Sequence, residues 1–155
     1  MYKRFTHEGG VATPLIVHWP AGLKSQGELR HTPSHIIDVA PTCLSAAGLS
    51  VKGMEGSSLL PVFAEDSQKE RILYWEHEGN RAVRKGNYKL VAMHDTPWEL
   101  YDMTKDRSEL KNLAKNMPGK VKELRLLYEA WAKRVGALPW EQVLVTKKKK
   151  VPSPK

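Results

Sequence analysis

Between Arg71 and Met103 the chain offers four short stretches rich in β-branched and aromatic residues: RILYWE at 71–76, RAVR at 81–84, YKLVAM at 88–93 and WELYDM at 98–103. The breaks between them carry Gly79 and Asn80, Gly86 and Asn87, and Asp95 to Pro97. Parallel pairing would need a crossover of a dozen or more residues, and no break is that long, so the spacing predicts a run of antiparallel strands. Lys85, Gly86 and Asn87 suit a tight hairpin turn. Soon after, Val121, Leu124, Tyr128, Trp131 and Val135 recur at steps of 3, 4, 3 and 4. That is one face of an amphipathic helix over 118–135. Asn116 is placed to cap it, and Glu123 sits near its start. Lys133 and Arg134 fall in its last turn, as the helix dipole prefers, and Gly136 and Pro139 end it. The aromatic stripe is expected to pack on the sheet.

The first 60 or so residues are harder to close into a fold. Residues 13–20 hold Leu15, Ile16, Val17 and Trp19 between Gly and Pro punctuation, the pattern of a buried strand. Residues 21–33 read as a loop. Asp38 to Ala47 reads as a helix with Asp38 as N-cap, Pro41 in its first turn and Gly48 after its end. Residues 49–58 read as a loop. A buried strand needs neighbours on both sides, and no partner is evident nearby. The reading is a piece of a larger sheet whose other strands are absent. The expected divisions are 1–66, the incomplete end of a core domain; 67–142, an antiparallel sheet with a helix; and 143–155, a disordered basic tail.

Composition limits the function classes. With 41% hydrophobic and 27% charged residues the chain is ordinary for a globular protein, and no apolar run approaches the length of a membrane span. The start, MYKRFTHEGG, has no apolar stretch of the secretory kind. The net charge of +8 comes mostly from Lys147 to Lys150 and Lys155, so it describes a solvated end more than a nucleic-acid surface. No nucleic-acid-binding motif accompanies it. Cys43, the single cysteine, cannot form an internal disulfide and lies in an apolar helical pattern, where a buried structural thiol is expected.

No complete catalytic constellation is present: there is no G-x-S-x-G and no P-loop. The six histidines show no zinc-type spacing. His31 and His35 are separated by Pro33, which argues against a shared helix face. On a strand, Glu76 and Glu78 would face one way and His77 the other. That is either a polar strand end or the rim of a substrate cleft.

Five segments carry a resemblance. KRFTHEGGVATPLIVHWP at 3–20 is similar to the sulfatase pattern K-x-x-x-x-E-G-G-x-R-x-P, which leads into a core strand ending in Trp-Pro. IDVAPTCLSAAG at 37–48 resembles that family's D-x-x-P-T-x-L-x-x-x-G helix, and GSSLLPVF at 56–63 its G-x-S-L-x-P-x-L. The segment YWEHEGNRAVRKGNYKLV at 74–91 resembles the bacterial arylsulfatase hairpin. WELYDM, with Asp106, Glu109, Asn112 and Leu113, matches W-x-L-Y-D-L-x-x-D-x-x-E-x-x-N-L. Each is weak alone; five in the family's order over residues 3–136 are specific.

The resemblance to the arylsulfatase family implies an α/β fold of the alkaline-phosphatase-like type. This chain would be the carboxy-terminal end of that core, then a small antiparallel sheet packed on a long helix. It implies hydrolysis of sulfate esters, on small molecules or sulfated glycans, by a formylglycine made from C/S-x-P-x-R beside a calcium ion. Cys43 is not that cysteine, because Ser45 stands where Pro is needed and no Arg follows. The nucleophile and the calcium ligands are expected upstream, with no metal site in this chain and no activity by it alone. Lys3 matches the lysine that contacts the sulfate group, where an ammonium donates charge-assisted hydrogen bonds to an anionic oxygen. His77 and Asn80 are expected at the substrate entrance. Ala12 stands where the family usually has Arg. The family habit implies a periplasmic or extracellular location. Two other readings are a non-catalytic binding module and a phosphate or phosphonate ester hydrolase of the same superfamily.

Overall fold

The computed structural model describes residues 3–24, 27–65 and 70–150, without the side chains of 146–150. Two compact units form: Met1–Thr13 with Glu70–Lys155, and Pro14–Lys69.

The first unit is built on a four-stranded antiparallel meander. Its strands are β1 (Ile72–His77), β2 (Asn80–Lys85), β3 (Tyr88–Ala92) and β4 (Glu99–Asp102), in the order β1-β2-β3-β4. The register pairs Tyr74 with Val83, Val83 with Leu90, and Leu90 with Leu100. Two-residue turns close the first two hairpins. Glu78 and Gly79 both have positive φ (52° and 81°), as a right-twisted two-residue hairpin requires, and Gly86 lies at 56° in the second. All four expected strands are present, within a residue or two of the expected limits.

Both faces of this sheet are covered. On one, Val83, Leu90 and Leu100 pack against Leu124 and Tyr128 of α4 (Pro118–Val135). Tyr74 stacks on Trp131 at 5.0 Å, and Trp98 meets Tyr128 edge-on at 5.5 Å. Burial pushes the Tyr128 hydroxyl up to about 12. The helix has its expected limits and ends at Gly136 in the left-handed conformation, φ 71°. Its N-cap is Met117 rather than Asn116. Asn112 is used instead: its Oδ1 accepts from Leu100 N (3.2 Å) and Ala114 N (2.9 Å), fastening the crossing from β4. Ala82, Val91, Tyr101 and Met103 form the other face with Trp75. The opening segment, including α1 (Glu8–Val11), lies on that face, tied to it through Glu8 and Lys89.

A further helix, α5 (Trp140–Lys150), carries the backbone through the lysine run, where the sequence predicts a disordered tail from 143. No proline interrupts residues 140–150, lysine is a good helix former, and Glu141 lies in the first turn. Residues 151–155 lie outside the described part.

The second unit holds a 3₁₀ turn (Ile36–Asp38), α2 (Val39–Ala46) and α3 (Leu60–Ala64). Asp38 stands at the N-cap position of α2 as expected, but its side chain does not cap that helix; the fully buried carboxylate accepts instead from His35 N (2.7 Å) and Ser57 N (2.9 Å). Thr42 Oγ1 donates to Asp38 O and accepts from Leu59 N. A Cβ on Gly56 would lie 2.0 Å from Ile37 O, so glycine is required by the close approach. Two expectations fail here. Residues 13–19 form no ladder, and Leu15, Ile16 and Val17 are exposed. A strand is made by its partners, and none is present among the described residues. Cys43 is exposed, not buried, because α2 buries its Pro41 side and Cys43 turns away from it.

Candidate functional site

The opening segment docks on the sheet face opposite α4 through a buried ionic cluster. Lys89, in the middle of β3, is fully buried, with Nζ 3.1 Å from Glu8 Oε1 and 2.9 Å from Glu109 Oε1. Glu109 Oε2 accepts from Glu8 N at 2.8 Å, and Arg107 lies 3.4 Å from Glu8 Oε2. A lone buried ammonium is costly; two carboxylates and the face of Trp75, 5.8 Å away, offset that cost. Burial lowers the Arg84 guanidinium from its usual range, while the Glu8 charge opposes that shift.

Beside this cluster, His7 Nε2 lies 3.1 Å from Glu99 Oε2, which also accepts from the Tyr101 hydroxyl at 2.9 Å. Burial, then the Glu99 hydrogen bond, pushes the Tyr101 phenol up. Thr6 and His7 are both buried.

Lys3, His77 and Asn80, the three residues singled out in the sequence, gather at one corner of the unit. Lys3 is exposed and adopts φ 53°, a left-handed backbone that costs a non-glycine residue on the order of 1 kcal/mol. Among the described residues its ammonium has no hydrogen bond or ion pair. Arg4, the next residue, pairs with Glu78 in the β1–β2 turn, with Nε 3.0 Å from Oε2. Asn80 is buried. Its Nδ2 donates to Arg4 O (3.2 Å) and His77 O (2.9 Å), and its Oδ1 accepts from His94 N (3.3 Å). His77 is exposed at the end of β1. With Glu76, Glu78, Gly136, Leu138, Trp140 and Val143 it lines an open groove of about 490 Å³. Glu76 Oε1 accepts from Gly79 N at 2.9 Å.

The ionic cluster is not legible in the sequence as a unit. Glu8 and Glu109 each sit in a recognisable segment, which is the signal the sequence holds. Lys89 in YKLVA gives none, since one lysine in a strand ordinarily faces water.

Calcium takes six to eight oxygen ligands. Among the described residues the one convergent group of possible ligands is His94, Asp95 and Glu141, and Asp95 and Glu141 are exposed. An imidazole nitrogen and two carboxylates on an open surface do not fit that ion. No described helix is long and apolar enough to cross a membrane.

The sequence pattern of the N-sulphoglucosamine sulphohydrolase carboxy-terminal family matches residues 1–130. An uncharacterized sulfatase of Schizosaccharomyces pombe is 33% identical over 83% of this chain and 26% of its own length. An N-acetylglucosamine-6-O-sulfatase of Bacteroides thetaiotaomicron is 31% identical over 85% of this chain and 27% of its own. The chain thus spans about a quarter of the length of these relatives. A solved structure concerned with glycosaminoglycan metabolism by Bacteroides thetaiotaomicron superposes with a TM-score of 0.72 at 22% identity, over 84% of this chain and 31% of that one. Another, described in complex with its substrate D-glucosamine-2-N,6-O-disulfate, gives 0.63 at 27% identity, over 89% and 32%. With the meander and long helix in place, the fold is that of the end of an alkaline-phosphatase-like sulfatase, and the chain belongs to the sulfatase carboxy-terminal family.

Proposed function

We infer that this chain supplies the carboxy-terminal part of a sulfuric ester hydrolase, in which Lys3 contacts the sulfate group. The observation that carries this is local. An ammonium without a partner among the described residues stands on strained backbone, at the end of a segment held by a buried ionic cluster. Strain of that kind gathers where a group must be presented to a ligand. An ammonium aimed at a sulfuryl oxygen offsets the charge that grows there during ester cleavage.

His77 lines the rim of the open groove, and in this reading it faces the alcohol portion of the ester, a small molecule or a sulfated sugar. The attacking group, a formylglycine, and the calcium ion belong to polypeptide outside this chain, whose described residues do not fit that ion. No catalytic step through a metal is assigned to it, and the isolated chain is inactive. An exported product, periplasmic or extracellular, is the setting this reading expects.

The test has two arms. The purified 155-residue chain, given 4-nitrophenyl sulfate and calcium, is expected to release no phenol; turnover would overturn the reading. In the full-length product of the gene, Lys3→Ala is expected to lower kcat/KM by roughly 10²–10³-fold. An unchanged value would remove Lys3 from the site.

A further inference from the structure

We propose that Asn80 is a positioning residue for Lys3, acting through the Arg4 carbonyl. This rests on the sulfate-contact reading and deepens it. Lysine does not hold a left-handed backbone unaided, so the turn at Lys3, φ 53°, must be imposed by its neighbours in the fold. Two fixings lie on the very next residue. The Arg4 carbonyl accepts from Asn80 Nδ2, and the Arg4 guanidinium pairs with Glu78.

Asn80 is suited to that task. It is buried at the base of a two-residue turn, so its rotamer is set by packing. One amide spans three backbone groups, from the opening segment, from His77 and from His94. That joins the Lys3 segment to the β1 end and to the residues beyond β3 with one planar group. Both amide hydrogens and one carbonyl lone pair are taken by backbone, so its work is to hold the main chain and not to touch substrate. Further along the chain, the Glu8–Lys89–Glu109 cluster keeps the same segment from sliding along the sheet. The stretch from Arg4 to Glu8 is therefore held at both ends, and Lys3 projects directly from the Arg4 anchor.

Asn80→Asp separates this role from simple packing. It keeps the shape and the acceptor for His94 N but replaces the amide donor by an oxygen facing two carbonyls. In the full-length protein, Asn80→Asp is expected to lower kcat/KM toward sulfate esters by about 10²-fold, the usual consequence of misplacing a reacting-site group by about 1 Å. In a Lys3→Ala background the same change is expected to cost under about twofold, because residues acting as one unit are not additive. An equal loss in both backgrounds overturns the positioning role while leaving the sulfate contact intact. A silent Lys3→Ala overturns the sulfate contact and this inference with it. A second measurement uses the 155-residue chain itself. The strong intraresidue amide–Hα nuclear Overhauser effect of a positive-φ residue is expected at Lys3 and expected to weaken in Asn80→Asp. Its persistence at full strength would overturn the proposal. Because it reads one residue, it also separates local release from a variant that fails to fold.

Discussion

Lys89 shows how far a single residue can depart from what its type suggests. In β3 it alternates with Tyr88 and Leu90 as any outward lysine would, and only the docking of Glu8 and Glu109 over it makes that side an interior. Removing the ammonium leaves two carboxylates facing each other out of water. Lys89→Met is therefore expected to destabilise the sheet unit by about 3–5 kcal/mol, read as a shift in urea midpoint at constant m. Converting Glu8 and Glu109 to Gln in the same protein is expected to restore much of that loss. A Lys89→Met protein as stable as the parent would contradict the cluster. Asp106 gives a pH-dependent case. The backbone N–H groups of Lys111 and Leu110 hold its carboxyl below the ordinary value of 3.8. Its folded value is the lower one, so its contribution is complete above the ordinary value and fades as pH falls through the folded one. Stability measured from pH 5 down toward pH 2 is expected to fall less steeply in Asp106→Asn. Residues of this kind are legible in the sequence only in part: Asp106 and Glu109 stand in a recognisable motif, but nothing in the motif says which partner each one takes. Asn80 reads in the sequence as a residue at the substrate entrance, and its side chain is hydrogen-bonded to backbone; a polar residue after a turn glycine looks the same in either role.

At the scale of elements, periodicity is the dependable guide. The meander follows from its β-branched and aromatic stretches and the short breaks between them, and α4 from its 3-4 spacing, because these patterns report surfaces that a neighbour in the same chain covers. Leu124 sits at the centre of that contact and is fully buried. Leu124→Ala is expected to cost about 2–5 kcal/mol in chemical unfolding, a cavity cost that an exposed position such as Leu126 would not show. Gly136, at φ 71°, is expected to lose about 1 kcal/mol on mutation to Ala, seen as a lower thermal midpoint with the helix content retained. The strand expected at 13–20 fails for the complementary reason. Its apolar run encodes a demand for neighbours, and a ladder cannot form on one side of nothing. The fate of Cys43 has the same origin: α2 carries apolar residues around more of its surface than its own unit covers.

For the whole molecule, the two units differ in how much of their apolar surface they hide. Ile16 is 89% exposed and Ile36 78%, with Leu15, Ile37 and Val39 also open; in the other unit both sheet faces are covered, and open apolar residues such as Leu110 and Leu138 lie off the sheet. An open apolar set of that kind drives association. The purified chain is expected to self-associate with rising concentration in light scattering, and Ile16→Lys is expected to reduce this without changing the unfolding of the sheet. Equal behaviour of the two proteins would show that this surface is not responsible. The ionic cluster has a further consequence in time. Glu8 and Glu109 stand 101 residues apart. At about 5–20 residues per second, a ribosome delivers the second roughly 5–20 s after the first. Through that interval the opening segment has emerged while Glu109 is still unmade, so the buried cluster can close only after both carboxylates have been delivered.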